Sequence, residues 1–268
     1  MALLGTLTTS VSALDAFTTG LDTVGNNIAN INTTAFKGSD VSFADTYSDV
    51  GTQVSSVSQN FTQGALATTG NPSDLGVSGN GFFMVADPTT TTNQYATRDG
   101  QFTFNASGYL VNAQGLQVQG FTGGTASAAP ATLGSIKLGT PPTGATLQSV
   151  TISTNGDVVE AYSDGTSAVT NQVLLQNFSA PTNLSNLGNN LFGNLASAAP
   201  LTATLGATNA PAQGGLGTIQ AGSLEQSNVD LTQEFSNMIT LQRAFDANAR
   251  MVTISDTILE DVVNMKSH

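Results

Sequence analysis

Residues 231–263 read LTQEFSNMITLQRAFDANARMVTISDTILEDVV, with apolar side chains at Leu231, Phe235, Met238, Phe245, Val252, Leu259 and Val263. Gln242, Ala249 and Asp256 hold the same phase, so the steps alternate between four and three as in a coiled-coil seam. A matching stripe near the other end runs Leu4, Leu7, Val11, Leu14, Leu21 and Ile28, with Thr18 and Gly25 in phase. Nothing between the two has this period. The spacing therefore predicts a mixed α and β fold. Its N- and C-terminal helices form a coiled-coil-like module around a central all-β domain.

The first helix is predicted over about residues 3–31 and ends in the Asn-rich stretch Asn26, Asn27, Asn30 and Asn32, whose amides compete for backbone hydrogen bonds. Gly20 and Gly25 weaken it by about 1 kcal/mol each relative to Ala, so it needs a partner along its seam. The second helix is predicted to open with Asp230 as N-cap and Gln233 and Glu234 in its first turn. Lys266 suits its negative pole. Such a rod reaches roughly 50 Å and is too long for a small β domain to bury.

The domain reading follows from these ends. Residues 1–38 and 224–268 form the terminal helical assembly module, and residues 39–72 an extended linker with short strands. Residues 73–196 form the central β domain, and residues 197–223 an Ala/Gly/Thr-rich return linker. Short strands are predicted in the centre at 81–85, 102–104, 109–111, 116–118, 136–138, 150–152, 158–162 and 173–178. Asp99-Gly100, Ser107-Gly108, Asn155-Gly156 and Asp164-Gly165 are read as turns with a positive φ. Residues 123–130 and 139–144 are read as loops.

Composition excludes several kinds of function. Charged residues are 9% of the 268, and the net charge is −12. The basic residues are Lys37, Lys137, Lys266, Arg98, Arg243 and Arg250, which do not cluster. Phosphate backbones and anionic membranes both call for clustered cations, so nucleic acid and membrane surfaces are not expected partners. With no cysteine and His268 as the only histidine, thiolate and His-ligated metal sites and Ser-His-Asp catalysis are excluded. No cofactor or small-molecule substrate is expected. Asp157, Glu160 and Asp164 invite a glycosidase reading, yet two of them sit in hairpin turns and are read as turn residues. Gly79-Asn80-Gly81 precedes a strand, the wrong order for a phosphate loop, and Asn155-Gly156-Asp157 lacks the remaining ligands of a calcium loop. An exported adhesin is a competing class, but Tyr47, Tyr95, Tyr109 and Tyr162 are scattered and no Trp exists. The start lacks the basic and apolar regions of a cleavable secretory signal.

A heptad stripe is usually a helix packing on its own domain. Here the stripes are terminal, paired and separated by a self-sufficient body, so the predicted partner is a second copy of the chain.

Three sets of residues carry a resemblance. Near the start stand Asn26, Asn27, Ala29, Asn30, Thr33, Phe36 and Lys37; near the end, Glu225, Ser227, Asn228, Val229, Glu234, Gln242 and Arg243. Between them lie Asp74-Leu75-Gly76-Val77, Gly79-Asn80-Gly81-Phe82-Phe83, Thr97-Arg98-Asp99-Gly100-Gln101-Phe102 and Gly108-Tyr109-Leu110-Val111. In this order they resemble the bacterial flagellar rod and hook proteins over nearly the whole chain. Ala35 stands where that family usually has Gly, which works against a positive φ at that turn, and Phe245 stands where Tyr is common. The stretches 41–47 and 57–64 are most similar to the hook protein, and the segment that distal rod proteins insert between them is absent. Many hook proteins also carry an outer β domain that this length does not allow.

The resemblance implies a structural axial subunit, not an enzyme, that polymerises with itself. It also implies neighbouring axial proteins (distal rod, hook–filament junction and hook cap) and delivery by the flagellar type III export apparatus without a cleaved signal. A compact hook protein is the favoured reading, with a distal rod protein as the alternative.

Overall fold

The computed structural model describes residues 2–46, 51–90, 93–123, 132–202 and 205–266. Tyr47 and His268, and nearly all of the loop expected at 123–130, lie outside the described residues, as do the side chains of Leu4 and Lys266. The chain divides into two compact units, one of residues 1–32, 37–61 and 229–268, the other of residues 33–36 and 62–228.

The terminal unit contains the two helices, α1 (Ala2–Ala29) and α2 (Leu231–Lys266), and a hairpin of strands Ser39–Asp45 and Thr52–Gln59. Residues 39–72, read above as an extended linker with short strands, contain an antiparallel pair of strands whose register shifts between Ser42 and Phe43. The hairpin packs on α1, where Phe17 and Phe43 meet edge to face at 5.9 Å.

This overturns the coiled-coil-like module as a fold class. The chain is mostly β, with just two α-helices among the described residues, and α1 does not turn its leucine seam towards α2. The buried line on α1 is Ser10, Ala13, Ala16, Gly20, Val24 and Asn27, about one residue earlier in phase than the leucine stripe. Small side chains let the backbones approach closely. A β-carbon on Gly20 would lie 3.2 Å from Leu241 Cδ1 and 3.3 Å from Phe43 Cζ. On α1 small side chains take the place of leucine knobs and receive larger ones such as Leu241 of α2, beside a hairpin that no coiled coil contains.

Helix α1 carries many Thr and Ser residues, ordinarily weak helix formers. Their hydroxyls are satisfied locally: Thr9 Oγ1 donates to the Gly5 carbonyl, Thr18 Oγ1 to Leu14 and Thr23 Oγ1 to Thr19, all four residues back. The helix ends where the Asn30 N–H is shared between the carbonyls of Asn26 and Asn27.

The β unit is built on strand Phe82–Ala86, which is buried along its whole length. An apolar run of this kind suits a central strand, and it pairs antiparallel with Gln94–Thr97 and Gln117–Thr122. The main sheet runs in the order Leu147–Ile152, Asp157–Tyr162, Ser167–Val173, Gln117–Thr122, Phe82–Ala86, Gln94–Thr97, Leu191–Gly193, Ser185–Asn186, and shorter strands branch from it. Its core includes Leu75, Phe83, Phe102, Val118, Ile136, Val158, Leu175 and Ile219, all fully buried. Residues 197–223, read as a return linker, include strand Thr218–Ala221, paired with Leu75–Ser78.

Two turns differ from their sequence reading. Gly100 does not have a positive φ. It is glycine because the chain passes close by: a β-carbon there would lie 1.7 Å from the Leu75 carbonyl oxygen, which no rearrangement of a side chain relieves. Ala35 does take a positive φ, 55°, despite its β-carbon. Its N–H donates to the Glu225 carbonyl at 2.8 Å and its methyl is buried. The left-handed conformation costs about 1–2 kcal/mol, offset in part by that burial.

Candidate assembly surface

One polar residue bonds both helices of the terminal unit. Asn27 is buried; its amide donates to the Ser39 carbonyl at 2.9 Å and to Glu234 Oε1 at 3.0 Å, and it accepts from the Ser39 N–H at 2.9 Å. One side chain therefore joins α1, the hairpin and the first turn of α2. Asp230 caps that turn, accepting from the N–H groups of Thr232 and Gln233 at 2.8 and 3.3 Å. Burial pushes the Glu234 carboxyl above its ordinary value, the Asn27 hydrogen bond opposes this, and the nearby Asp40 charge adds to it. The two helices run antiparallel, since Asn27 faces Glu234 while Gly20 faces Leu241.

With the small-residue line of α1 turned inward, the leucine stripe lies elsewhere. Leu7, Leu14, Leu21 and Ile28 are half-buried and Val11 is 51% exposed. On α2 the inward line is Glu234, Met238, Leu241, Phe245, Asn248, Val252, Ser255 and Leu259. Met238, Phe245, Val252 and Leu259 belong to the stripe read from the sequence, and all four are half-buried. Leu231, Phe235 and Val263, the other members, are exposed. Ile239, Met251, Ile254, Ile258, Val262 and Met265 are exposed as well, so α2 carries two apolar patches without cover in this chain, at residues 231–239 and 251–265, separated by the exposed polar residues Gln242, Arg243, Asp246 and Arg250.

The remaining motif residues have structural positions. Asn26, Ala29, Gln242 and Arg243 are exposed, and Asn30, Thr33, Phe36, Ser227 and Val229 are half-buried. Lys37 is buried. Asn228 Nδ2 donates to the carbonyl and hydroxyl oxygens of Thr62 at 3.1 and 3.0 Å. Glu225 is buried in the β unit and pairs with Arg98 at 3.4 Å, while its other oxygen accepts from the Gly64 N–H at 2.8 Å. The Arg98 guanidinium also lies 5.1 Å from the Phe82 ring centre and donates to the Gly79 carbonyl. Burial pulls Arg98 below its ordinary value, and Glu225 pushes it back.

Sequence reasoning did not foresee the Asn27–Glu234 and Arg98–Glu225 pairs. Their members are more than a hundred residues apart, and only the fold brings them together. The signal that was available is a polar residue in a phase otherwise filled by Ala and Gly.

Two of the three carboxylates that invite a glycosidase reading, Glu160 and Asp164, are bonded within the β unit. Glu160 is fully buried and accepts from Tyr162 Oη at 2.6 Å, Thr170 Oγ1 at 2.5 Å and the Gly139 N–H at 2.8 Å. That bond, with burial, raises the Tyr162 phenol to about 12. Asp164 closes a turn by accepting from the Thr166 N–H and hydroxyl. Among the described residues no group of three or more His, Asp or Glu side chains is placed to hold a metal.

Three sequence families match in chain order: "Flagella basal body rod protein" over residues 7–37, "Flagellar hook protein FlgE/F/G D1 domain" over 76–160, and "Flagellar basal body rod FlgEFG protein C-terminal" over 220–265. The chain is 33% identical over 285 residues to flagellar basal-body rod protein FlgG of Bacillus subtilis (strain 168), covering 98% of this chain and 100% of that protein. It belongs to the flagellar rod and hook axial protein family. The family's N- and C-terminal matches fall on α1 and α2, and its D1 match falls on the β unit. FlgG of Borreliella burgdorferi is 29% identical over 97% of this chain and 98% of its own length. Flagellar hook protein FlgE of Escherichia coli (strain K12) is 40% identical over 138 residues, 50% of this chain and 30% of the hook protein. The chain is thus a flagellar axial structural protein.

Proposed function

We propose that this chain is the tube-forming subunit of a flagellar hook, in which α1 and α2 supply the contacts between copies. The observation that carries polymerisation is the pair of uncovered apolar patches on α2, at residues 231–239 and 251–265, which a neighbouring copy would bury at about 25 cal/mol per Å² of apolar surface. The hook reading is supported by the hairpin of the terminal unit. Its strands are joined by just the six residues 46–51, so the segment that distal rod proteins insert in this region is absent from the sequence. The higher identity to the hook protein over half of the chain points the same way. With few charges on its surface, a β unit has few strong ion pairs to break when neighbours slide, which suits a tube that bends while transmitting torque from rod to filament. Its partners are then further copies, the adjoining axial proteins and the export apparatus, and its role is mechanical.

A distal rod protein is the second reading, favoured by the end-to-end match to proteins named FlgG. Electron micrographs of basal bodies from a strain lacking the gene separate the two. A full rod without a hook is expected; a shortened rod would favour the second reading, and an intact hook would contradict both.

A further inference from the structure

We infer that two copies of this chain join through a two-rung ion-pair ladder, Asp15 and Asp22 on α1 of one copy facing Arg243 and Arg250 on α2 of the next. The inference rests on the axial reading above and names the charges that fix how neighbours dock. Asp15 and Asp22 are exposed and seven residues apart, on the side of α1 opposite the buried line through Ala13 and Gly20. Arg243 and Arg250 are exposed and also seven apart, on the side of α2 opposite Leu241, Val252 and Ser255. At the helical rise, each pair spans about 10.5 Å, so the two rungs match in length.

These four groups cannot meet within one chain. The inward faces of the two helices are packed together, which points the aspartates and the arginines away from each other. Among the described residues none of the four side chains has a hydrogen-bond or ion-pair partner. Asp246 lies between the two arginines on the same helix and makes no ion pair with either.

Charge balance makes the arginines decisive. The chain carries −12 with six basic residues. Lys37 and Arg98 are buried and Lys137 sits over the Tyr109 ring at 5.1 Å. Two acidic helical units repel each other unless their free cations are placed opposite carboxylates. Apolar residues flank both sides of the ladder: Val11 lies one turn before Asp15, Ile239 one turn before Arg243 and Ile254 one turn after Arg250, all about half exposed. Burying them alongside would exclude water from the rungs and strengthen the attraction. An acidic stretch of a neighbouring α2, such as Asp256, Glu260 and Asp261, is the other acceptor to be tested; its carboxylates do not repeat at seven on one face.

The test uses full-length chains returned to a strain lacking the gene, with axial structures counted in isolated basal bodies. The double reversals Asp15→Arg with Asp22→Arg, and Arg243→Asp with Arg250→Asp, should each lower the count by roughly tenfold. Combining all four should restore at least about half of it, since the rungs are then swapped end for end. If either double reversal assembles normally, or if the quadruple variant is no better than its parents, the ladder is wrong while the axial function stands. If instead Arg243→Asp with Arg250→Asp is rescued by Asp256→Arg with Glu260→Arg, the α2 acceptor is correct and the ladder is overturned. A wild-type gene that restores no axial structure at all would refute the axial function itself.

Discussion

The β unit packs large apolar side chains into a core, although Leu133, Leu147, Val169, Leu187 and Leu201 stay exposed, whereas among the described residues the terminal unit fully buries no apolar side chain larger than Val24. In the β unit Phe83, Phe102, Leu75 and Ile136 are fully buried around one core. In the terminal unit the buried apolar residues are Ala13, Ala16 and Val24, while Phe235, Ile239, Ile254, Ile258 and Met265 are exposed. One unit is complete as a fold and the other is turned partly inside out. The difference bears on where stability comes from: the β unit has an apolar core of its own, whereas the terminal unit leaves large apolar side chains exposed that the proposed neighbouring copy would cover.

The sharpest way to break this comparison is to damage each unit separately. Gly100→Ala drives a β-carbon against the Leu75 carbonyl and should destabilise the β unit by about 4 kcal/mol or more, read as loss of its cooperative melt. A β unit that melts normally would remove the close approach from the account. Asn27→Ala strands the Ser39 N–H and the Glu234 carboxyl, and should cost about 2–3 kcal/mol within the terminal unit alone. Hydrogen exchange should then rise in α1, the hairpin and α2 while residues 75–178 stay protected. Equal loss in both units would mean that they do not fold independently. Removing residues 1–30 and 230–268 sharpens the same point, since a soluble folded monomer is expected.

Smaller effects follow from titration. Tyr162 has a raised folded value, so its contribution is complete below pH about 10 and fades as pH climbs towards about 12. Tyr162→Phe should remove that alkaline slope and lower stability at neutral pH by about 1–2 kcal/mol, measured by urea denaturation. Glu234 is also raised, so folding favours its protonated form and its contribution is lost as pH rises above the ordinary carboxylate range. Glu234→Gln keeps an acceptor for Asn27 and should flatten this acid dependence, changing stability at pH 7 by no more than about 1 kcal/mol. A large loss at neutral pH would show that the charge itself is needed.

The sequence made the terminal helices legible because α1 and α2 are long, periodic and, at Asp230, capped by a recognisable residue. It made the turns at Gly108, Gly156 and Gly165 legible because a positive φ has a residue signature. It did not reveal the helix contact, because Ser10, Ala13, Ala16 and Gly20 carry little hydrophobic signal and the eye follows the leucines. It placed short strands in residues 39–72 but not their pairing into a hairpin, because those strands are half exposed and rich in Ser. For the candidate surface, Leu7, Val11, Leu14 and Phe235 could be placed on stripes, but which stripe turns inward depends on packing between residues two hundred positions apart.

Hydrogen exchange on the full-length chain, compared between dilute monomer and assembled polymer, tests the central claim most directly. The account predicts amides of the β core that are slow in both states, and amides of α2 beyond Met251 that exchange quickly in the monomer and become protected on assembly. Helices already as protected as the β core in a chain that stays monomeric at high concentration would contradict it.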